Sequence, residues 1–219
     1  MNSEFFKRIV SSIILIPITL FFLIKGGFFF NIFVIICFFI TTYEWHNMSK
    51  NKSYNIYGIL FLILSFYSIY LLRNSFEETY IYLLLVILIC SLTDIGGYFF
   101  GKIFKGPKLT KISPKKTYSG MVGGYLLPII FFYLILVFTD LFAKLEVSTS
   151  LFLFVFLIST TNQLGDILIS FFKRVSKIKD TGKIIPGHGG LLDRIDGMIF
   201  AFPISYIIFL IENFTWNKK

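Results

Sequence analysis

Seven long apolar stretches constrain this chain more than any other feature: 9–24, 26–43, 57–72, 80–101, 120–143, 149–172 and 190–211. Each approaches the ~20 mostly apolar residues (range ~17–25) that a helix needs to cross a bilayer. Inside lipid, every backbone N–H and C=O must be satisfied within the protein, so such stretches become helices rather than open strands. Only Lys25-Gly26-Gly27 separates the first two, which read as a tight helical hairpin. The last is continuously apolar from Gly197 and needs the Gly189–Asp196 turns to reach spanning length. The expected fold is all-α: a polytopic transmembrane helix bundle of about seven spans, six or eight remaining open.

Composition removes the competing classes. Of the 219 residues 56% are hydrophobic and 15% charged, against ~45–50% and ~25% in a soluble domain. Disorder, a collagen, a disulfide scaffold and a cytosolic globule are all disfavoured. Cys37 and Cys90 lie inside apolar runs with no pairing or metal-ligand spacing, and read as small buried hydrophobes. Lys7-Arg8 before an apolar run resembles a secretory leader, but no small-residue cleavage site follows. An uncleaved first span is expected.

The net charge of +9 is unevenly placed. Threading seven spans puts segments 1–8, 44–56, 102–118 and 173–196 on one side. They hold every basic residue except Lys25, Arg73, Lys144, Lys218 and Lys219. The excess of Lys and Arg in cytoplasmic loops then places the N-terminus in the cytosol and the C-terminus outside. Topology accounts for the short segments, and no nucleic-acid partner is expected. It does not account for six cations in each of the two longest loops, alongside Asp, His, Gly and Pro.

Acidic residues are few, so their positions are informative. Asp94 and Asp166 sit near the cytosolic ends of the fourth and sixth spans. A carboxylate at the bilayer centre costs ~2.5–3.5 kcal/mol on insertion scales, so it faces a partner or a wet cavity. The plainer reading is that both lie close enough to the interface to meet water. Asn162, Asp166, Ser170 and Lys173 share one helix face, with Gln163 beside them. Gly97 with Gly101, and Gly120 with Gly124, have the spacing of close helix packing. In Lys183–Asp196, Pro186-Gly187 and Gly189-Gly190 let backbone approach a bulky ligand and leave amides free for anions. Asp193 and Asp196 follow on one helix face, as a hard cation such as Mg²⁺ requires. Taken singly, His188 is a capped loop residue, Arg194 a local ion pair, and the two acids a helix-dipole match. The loop 102–118 gathers Lys102, Lys105, Lys108, Lys111, Lys115 and Lys116 around Ser113-Pro114, suited to anionic headgroups or to a polyphosphate. The residues alone point to a cytosol-facing membrane site for a divalent metal and a polyanion, with a lipid as one substrate.

The stretch Ser170–Asp196 resembles the signature of the phosphatidate cytidylyltransferases, also called CDP-diacylglycerol synthases. Its elements are Ser170-x-Phe172-Lys173-Arg174, Lys179-Asp180-x-Gly182 and Pro186-x-His188-Gly189-Gly190-x-x-Asp193-Arg194-x-Asp196. A second block runs Asp94-x-Gly96-Gly97-Tyr98-x-x-Gly101-Lys102 and continues through Ile112-Ser113-Pro114-Lys115-Lys116-Thr117 to Gly120. The resemblance covers roughly the C-terminal 130 residues, so 1–79 reads as N-terminal membrane helices and 80–219 as the catalytic membrane region of one domain. Two positions depart from the family pattern: Lys105-Gly106-Pro107 replaces the usual continuation of the Gly-Lys turn, and Ser119 stands where an acid is usual.

That resemblance implies CTP + phosphatidate → CDP-diacylglycerol + diphosphate, an Mg²⁺-dependent step of phospholipid biosynthesis with room for a second cation. It implies a multi-pass protein of a bacterial plasma membrane, its active site facing the cytosol, with a homodimer allowed. Asp166 and Asp193 would hold the metal, Asp196 and Asp94 serving as outer or alternative ligands. Lys173, Arg174, Lys115 and Lys116 would neutralise the triphosphate, which Ser113 and His188 would contact, and Ser170 and Arg194 complete the substrate-binding set. Asp166, Asp193 and Lys173 form the implied catalytic group. A CDP-alcohol phosphotransferase is the nearest rival, but its Asp-Gly-x-x-Ala-Arg start is missing. A transporter would not need the His188–Asp196 run.

Overall fold

Apolar stretches and helices coincide along the chain. The computed structural model describes residues 3–74, 80–110, 112–113, 115–138 and 149–216. Its elements are α1 (Ser3–Lys25), α2 (Gly27–Ser49), α3 (Asn55–Asn74), α4 (Tyr80–Phe104), α5 (Tyr118–Phe138), α6 (Thr149–Val175), α7 (Leu192–Ile195) and α8 (Met198–Trp216). Helices α2 to α6 are each long and apolar enough to cross a bilayer; α1 and α8 contain the shorter apolar segments Val10–Lys25 and Met198–Ile211. Ile13, Phe28, Phe39, Tyr57 and Phe138 stand exposed on the outer surface, the pattern of a bundle whose solvent is lipid. This is an integral membrane helix bundle.

Two boundaries differ from expectation. Helix α2 continues past 43 to Ser49, because Thr41, Glu44, Trp45 and Met48 are buried against the bundle rather than released into a loop. The stretch 190–211 does not form one helix. It makes the single turn α7, breaks at Asp196-Gly197, and restarts as α8, with the Gly197 amide donating to Asp196 Oδ1 at 2.9 Å. Residues 139–143 of the expected fifth span lie outside the described residues, as do Lys111, Pro114 and Lys144.

The core runs through α4, α6 and α8, where Ile89, Cys90, Val155, Ile158 and Ala201 are fully buried. Cys37 and Cys90 are free thiols, as their apolar settings suggest. Helices α4 and α5 pack most intimately. A Cβ on Gly120 would lie 2.7 Å from the Gly97 carbonyl oxygen and 3.4 Å from Gly101 Cα, so the glycine spacing does serve close packing. At one end of the bundle, Gly26 and Gly27 turn the α1–α2 hairpin with φ 66° and 57°. Arg73 of α3 closes that turn, its Nε donating to the Leu23 carbonyl at 2.9 Å. The opposite end carries the α2–α3 turn, the α4–α5 loop and the segment 176–197.

Candidate active site

Three elements converge at this second end. Helix α6 contributes the polar stripe. Asn162, Ser170 and Lys173 are buried, and Asp166 is half-buried between them. The Asn162 amide donates to Asp94 Oδ1 on α4 at 2.8 Å, and Ser170 Oγ to Asp166 Oδ1 at 3.3 Å. Deeper in the bundle, Thr93 Oγ1 donates to Ser159 Oγ at 2.9 Å, tying α4 to α6 beneath the site.

The α4–α5 loop folds over as a short ladder. Lys105 and Gly106 turn the chain with φ 53° and 106°, Leu109 N donates to the Lys116 carbonyl at 2.8 Å, and Tyr118 N to that of Pro107 at 3.2 Å. Ser119, the departure from the family pattern, donates to the Lys105 carbonyl, and so takes part in this turn. The ladder aims Lys116 inwards, where its Nζ pairs with Asp166 Oδ2 at 2.5 Å. Lys102, Lys105 and Lys108 point outwards and are exposed.

The third element is the glycine-punctuated loop before α7. Gly187 and Gly189, with φ 75° and 87°, close a tight turn in which Ile185 and Gly189 exchange backbone hydrogen bonds. Asp193 then gathers the loop: its Oδ2 accepts from Thr181 N at 2.7 Å and Gly190 N at 2.9 Å, while Oδ1 accepts from Lys173 Nζ at 2.9 Å. Lys173 Nζ also stands 3.7 Å from Asp196 Oδ2. Both acids precede α8. Burial pushes the Asp193 carboxyl up, but the Gly190 amide, Lys173 and the Thr181 amide outweigh it and hold the group below the ordinary carboxylate range. Asp196 goes the other way: burial and the charge of Asp166, with Asp94 adding to them, push it well up against the pull of Lys173 and Lys116.

These pieces enclose a cavity of about 440 Å³, within the ~300–1,000 Å³ range of ligand pockets. Asp94, Ser113, Lys115, Lys116, Asp166, Lys173, Asp193, Arg194 and Asp196 all line it. Of the expected site residues, Ser170 touches it only through Asp166. Arg174 and His188 are not brought to it. The Arg174 guanidinium is exposed and donates to the Ile178 carbonyl at 3.3 Å, folding back on its own helix end. His188 Nδ1 lies 2.7 Å from Ser11 Oγ, because the turn at Gly187 sends its ring towards α1.

Glu44 and Thr181 are structural members of the site that the sequence analysis does not single out, and Asp180 stands in the signature without an assigned role. Asp180 lines the cavity. Glu44 is 1% exposed and accepts the amides of Leu191 at 3.0 Å and Leu192 at 2.7 Å. Its one signal was a lone acid closing the apolar run 26–43, which also reads as the start of a loop. Among the described residues no three acids stand close enough together to hold a metal ion as placed. Mg²⁺, however, typically takes one or two carboxylates, keeps several waters and adds substrate phosphate oxygens. A cavity lined by carboxylates whose outward oxygens face lysine ammonium groups fits that donor chemistry.

The chain matches the cytidylyltransferase family over residues 6–78 and 56–211. It is 32% identical to a phosphatidate cytidylyltransferase of Rickettsia bellii over 212 residues, 94% of this chain and 91% of that one. It is 35% identical to the phosphatidate cytidylyltransferase of Staphylococcus saprophyticus over 170 residues, covering 74% of this chain and 63% of the relative. With that of Staphylococcus epidermidis the identity is 41% over 130 residues, 59% of this chain and 49% of the relative. The matched region thus spans about half to two thirds of the staphylococcal proteins.

Proposed function

The chain belongs to the cytidylyltransferase family, and from that premise we propose that it transfers CMP from CTP to phosphatidate, releasing diphosphate and leaving CDP-diacylglycerol in the membrane. The observation that carries the reading is one cavity where carboxylates from α4, α6 and the α7 segment meet Lys115 and Lys116 of the α4–α5 loop and Lys173 of α6. The names of the relatives supply the substrates.

The attacking group is a phosphate monoester oxygen of phosphatidate, largely ionised at neutral pH because its second pKa is ~6. It bonds to the α-phosphorus of CTP as the bond to the bridging oxygen of the diphosphate breaks. No strong base is needed; the barrier lies in assembling polyanions and holding the developing charge. Lys115, Lys116 and Lys173 neutralise phosphate oxygens in this reading, with Arg194 and Ser113 beside them. Asp166 through Oδ2 and Asp193 through Oδ1 would hold Mg²⁺, with Asp94 and Asp196 as outer or alternative ligands. Asp193 Oδ2, committed to two amides, stays with the loop. Bound Mg²⁺ would supply positive charge at the α-phosphate and on the leaving diphosphate. Lys116 and Lys173 now pair with the same two oxygens, so they are placed to pass from carboxylate to phosphate as the site loads. Arg174 and His188 lie outside the cavity, and their expected contact with the triphosphate gains no support.

The cavity opens at the end of the bundle that carries the basic loops, which supports a cytosolic active site. Purified protein in phosphatidate-containing micelles, given labelled CTP and Mg²⁺, should yield a labelled CDP-lipid and equimolar diphosphate, and a chelator should stop the reaction. Failure to form any CDP-lipid across lipid compositions would refute the reading.

A further inference from the structure

Helix α7 begins without a side-chain cap of its own. The first amides of a helix have no partner within it, and here they lie at a half-buried and a buried position. They are satisfied from 148 positions earlier in the chain by Glu44 of α2. Its Oε1 accepts from Leu191 N, and its Oε2 from Leu192 N and from Thr181 Oγ1 at 3.3 Å. Asp193 takes the adjoining amides, Gly190 and Thr181. Two carboxylates therefore share four loop amides, and Thr181 is held by both, its N–H on Asp193 and its hydroxyl on Glu44. The fit leaves no slack: a Cβ on Gly182 would come 2.6 Å from Glu44 Oε1, and one on Gly190 would also collide with the Glu44 carboxylate.

We propose that Glu44 is a positioning residue for the reaction: from the N-terminal half it caps α7, and so fixes the loop 181–192 and the aim of Asp193 at Lys173. Glu44 does not line the cavity, and it acts only through the amides it holds. The catalytic region then requires α2 for its geometry, not merely for its anchoring in the membrane. As far as activity goes, this rests on the cytidylyltransfer reading.

The test is Glu44→Gln, which places an amide donor against backbone N–H groups without changing side-chain length. Leu62→Val, a core trim on α3 remote from the loop, is the stability control. In Glu44→Gln, hydrogen exchange at residues 190–193 should quicken at least ten-fold. Its kcat should fall ten- to a hundred-fold while the KM for CTP changes less than three-fold. Leu62→Val should lower the thermal midpoint yet keep kcat within two-fold. Should Glu44→Gln not fold, Thr181→Val, which removes one of the three bonds, should show the same pattern at two- to five-fold. Wild-type exchange at 190–193 with wild-type kcat in the variant overturns the proposal, as does an equal loss of kcat in Leu62→Val. Wild-type protein that makes no CDP-lipid would sink the cytidylyltransfer reading instead, and the exchange measurement would still decide whether Glu44 holds the loop.

Discussion

Lys173→Met should destabilise the fold by more than its own interactions are worth. Lys173 Nζ lies 2.9 Å from Asp193 Oδ1 and 3.7 Å from Asp196 Oδ2, with side-chain exposures of 11%, 4% and 15%. At an effective dielectric of ~20 those separations correspond to attractions of about 6 and about 4.5 kcal/mol. Desolvating the three groups offsets most of this, so the intact cluster contributes little net stability. Removing the lysine alone is different, because it leaves the buried Asp193 Oδ1 without its cation and takes the nearby positive charge from Asp196. Breaking such a pair costs ~3–5 kcal/mol, which for a chain of 150–250 residues is a fall of ~6–20 °C in thermal midpoint. Asp193→Asn alone leaves Lys173 with Asp196 and should cost less. The double variant should regain part of the loss, with a coupling energy of ~2–3 kcal/mol. Thermal unfolding of all four proteins in one detergent, with chelator present so that no cation replaces the lysine, measures the cycle. A Lys173→Met midpoint within ~2 °C of wild type, or single effects that simply add, would refute the reasoning.

Asp166→Asn should behave in the opposite way. Its pair with Lys116 is partly exposed and worth little to stability, so the midpoint should move by only a few degrees while CDP-lipid synthesis falls at least a hundred-fold; substantial residual turnover would remove Asp166 from the metal set. Gly120→Val should force α4 and α5 apart at the Gly97 carbonyl, costing ~1–3 kcal/mol as an overpacked contact, and a wild-type midpoint would show the helices less tightly held. Asp193 is held below the ordinary carboxylate range, so the unfolded chain takes up a proton there before the folded chain does. Its contribution to stability is complete above its ordinary pKa of ~3.9 and is lost as pH falls through the lower folded value. Between pH 6 and pH 3 the thermal midpoint of wild type should therefore fall more steeply than that of Asp193→Asn, and parallel curves would contradict the shift.

Much of the bundle was legible because lipid simplifies the code. An apolar run long enough to span must be helical, and the breaks at Lys25-Gly26-Gly27 and after Phe104 are marked by glycine and lysine. Helix ends were harder. Glu44 looks like the exit from the membrane because an unpaired acid there would be, and the Leu191 and Leu192 amides are what let it stay buried as α2 continues past it. Gly197 reads as the start of the last apolar run, and the structure adds why it is glycine: a Cβ there would collide with Asn162 Oδ1 on α6. Within the site, helical spacing gave the α6 stripe correctly, since Asn162, Ser170 and Lys173 all turn inwards. Spacing is silent on loops: nothing in Pro186-Gly187-His188 says that the ring turns to Ser11.

Why acids and lysines are interleaved here follows from the charge the site must manage. Burial first, and then the charges of Asp166 and Asp94, push the Asp196 carboxyl upwards. Like charges gathered in one low-dielectric pocket repel one another. Lys116 and Lys173 relieve that repulsion in the free protein. Each sits on a half-buried or buried carboxylate rather than on the exposed rim, where a lysine would be hydrated and its attraction screened. On the proposed reading, a metal-bound nucleotide would bring both kinds of partner at once, cation for the acids and phosphate for the lysines, so that binding would exchange ion pairs instead of stripping bare charges of water. The cost of desolvation, which usually makes buried ion pairs poor sources of stability, is then met largely when the protein folds. For that reason a neutral replacement at Lys173 should weaken folding in the free protein before it is ever tested for catalysis.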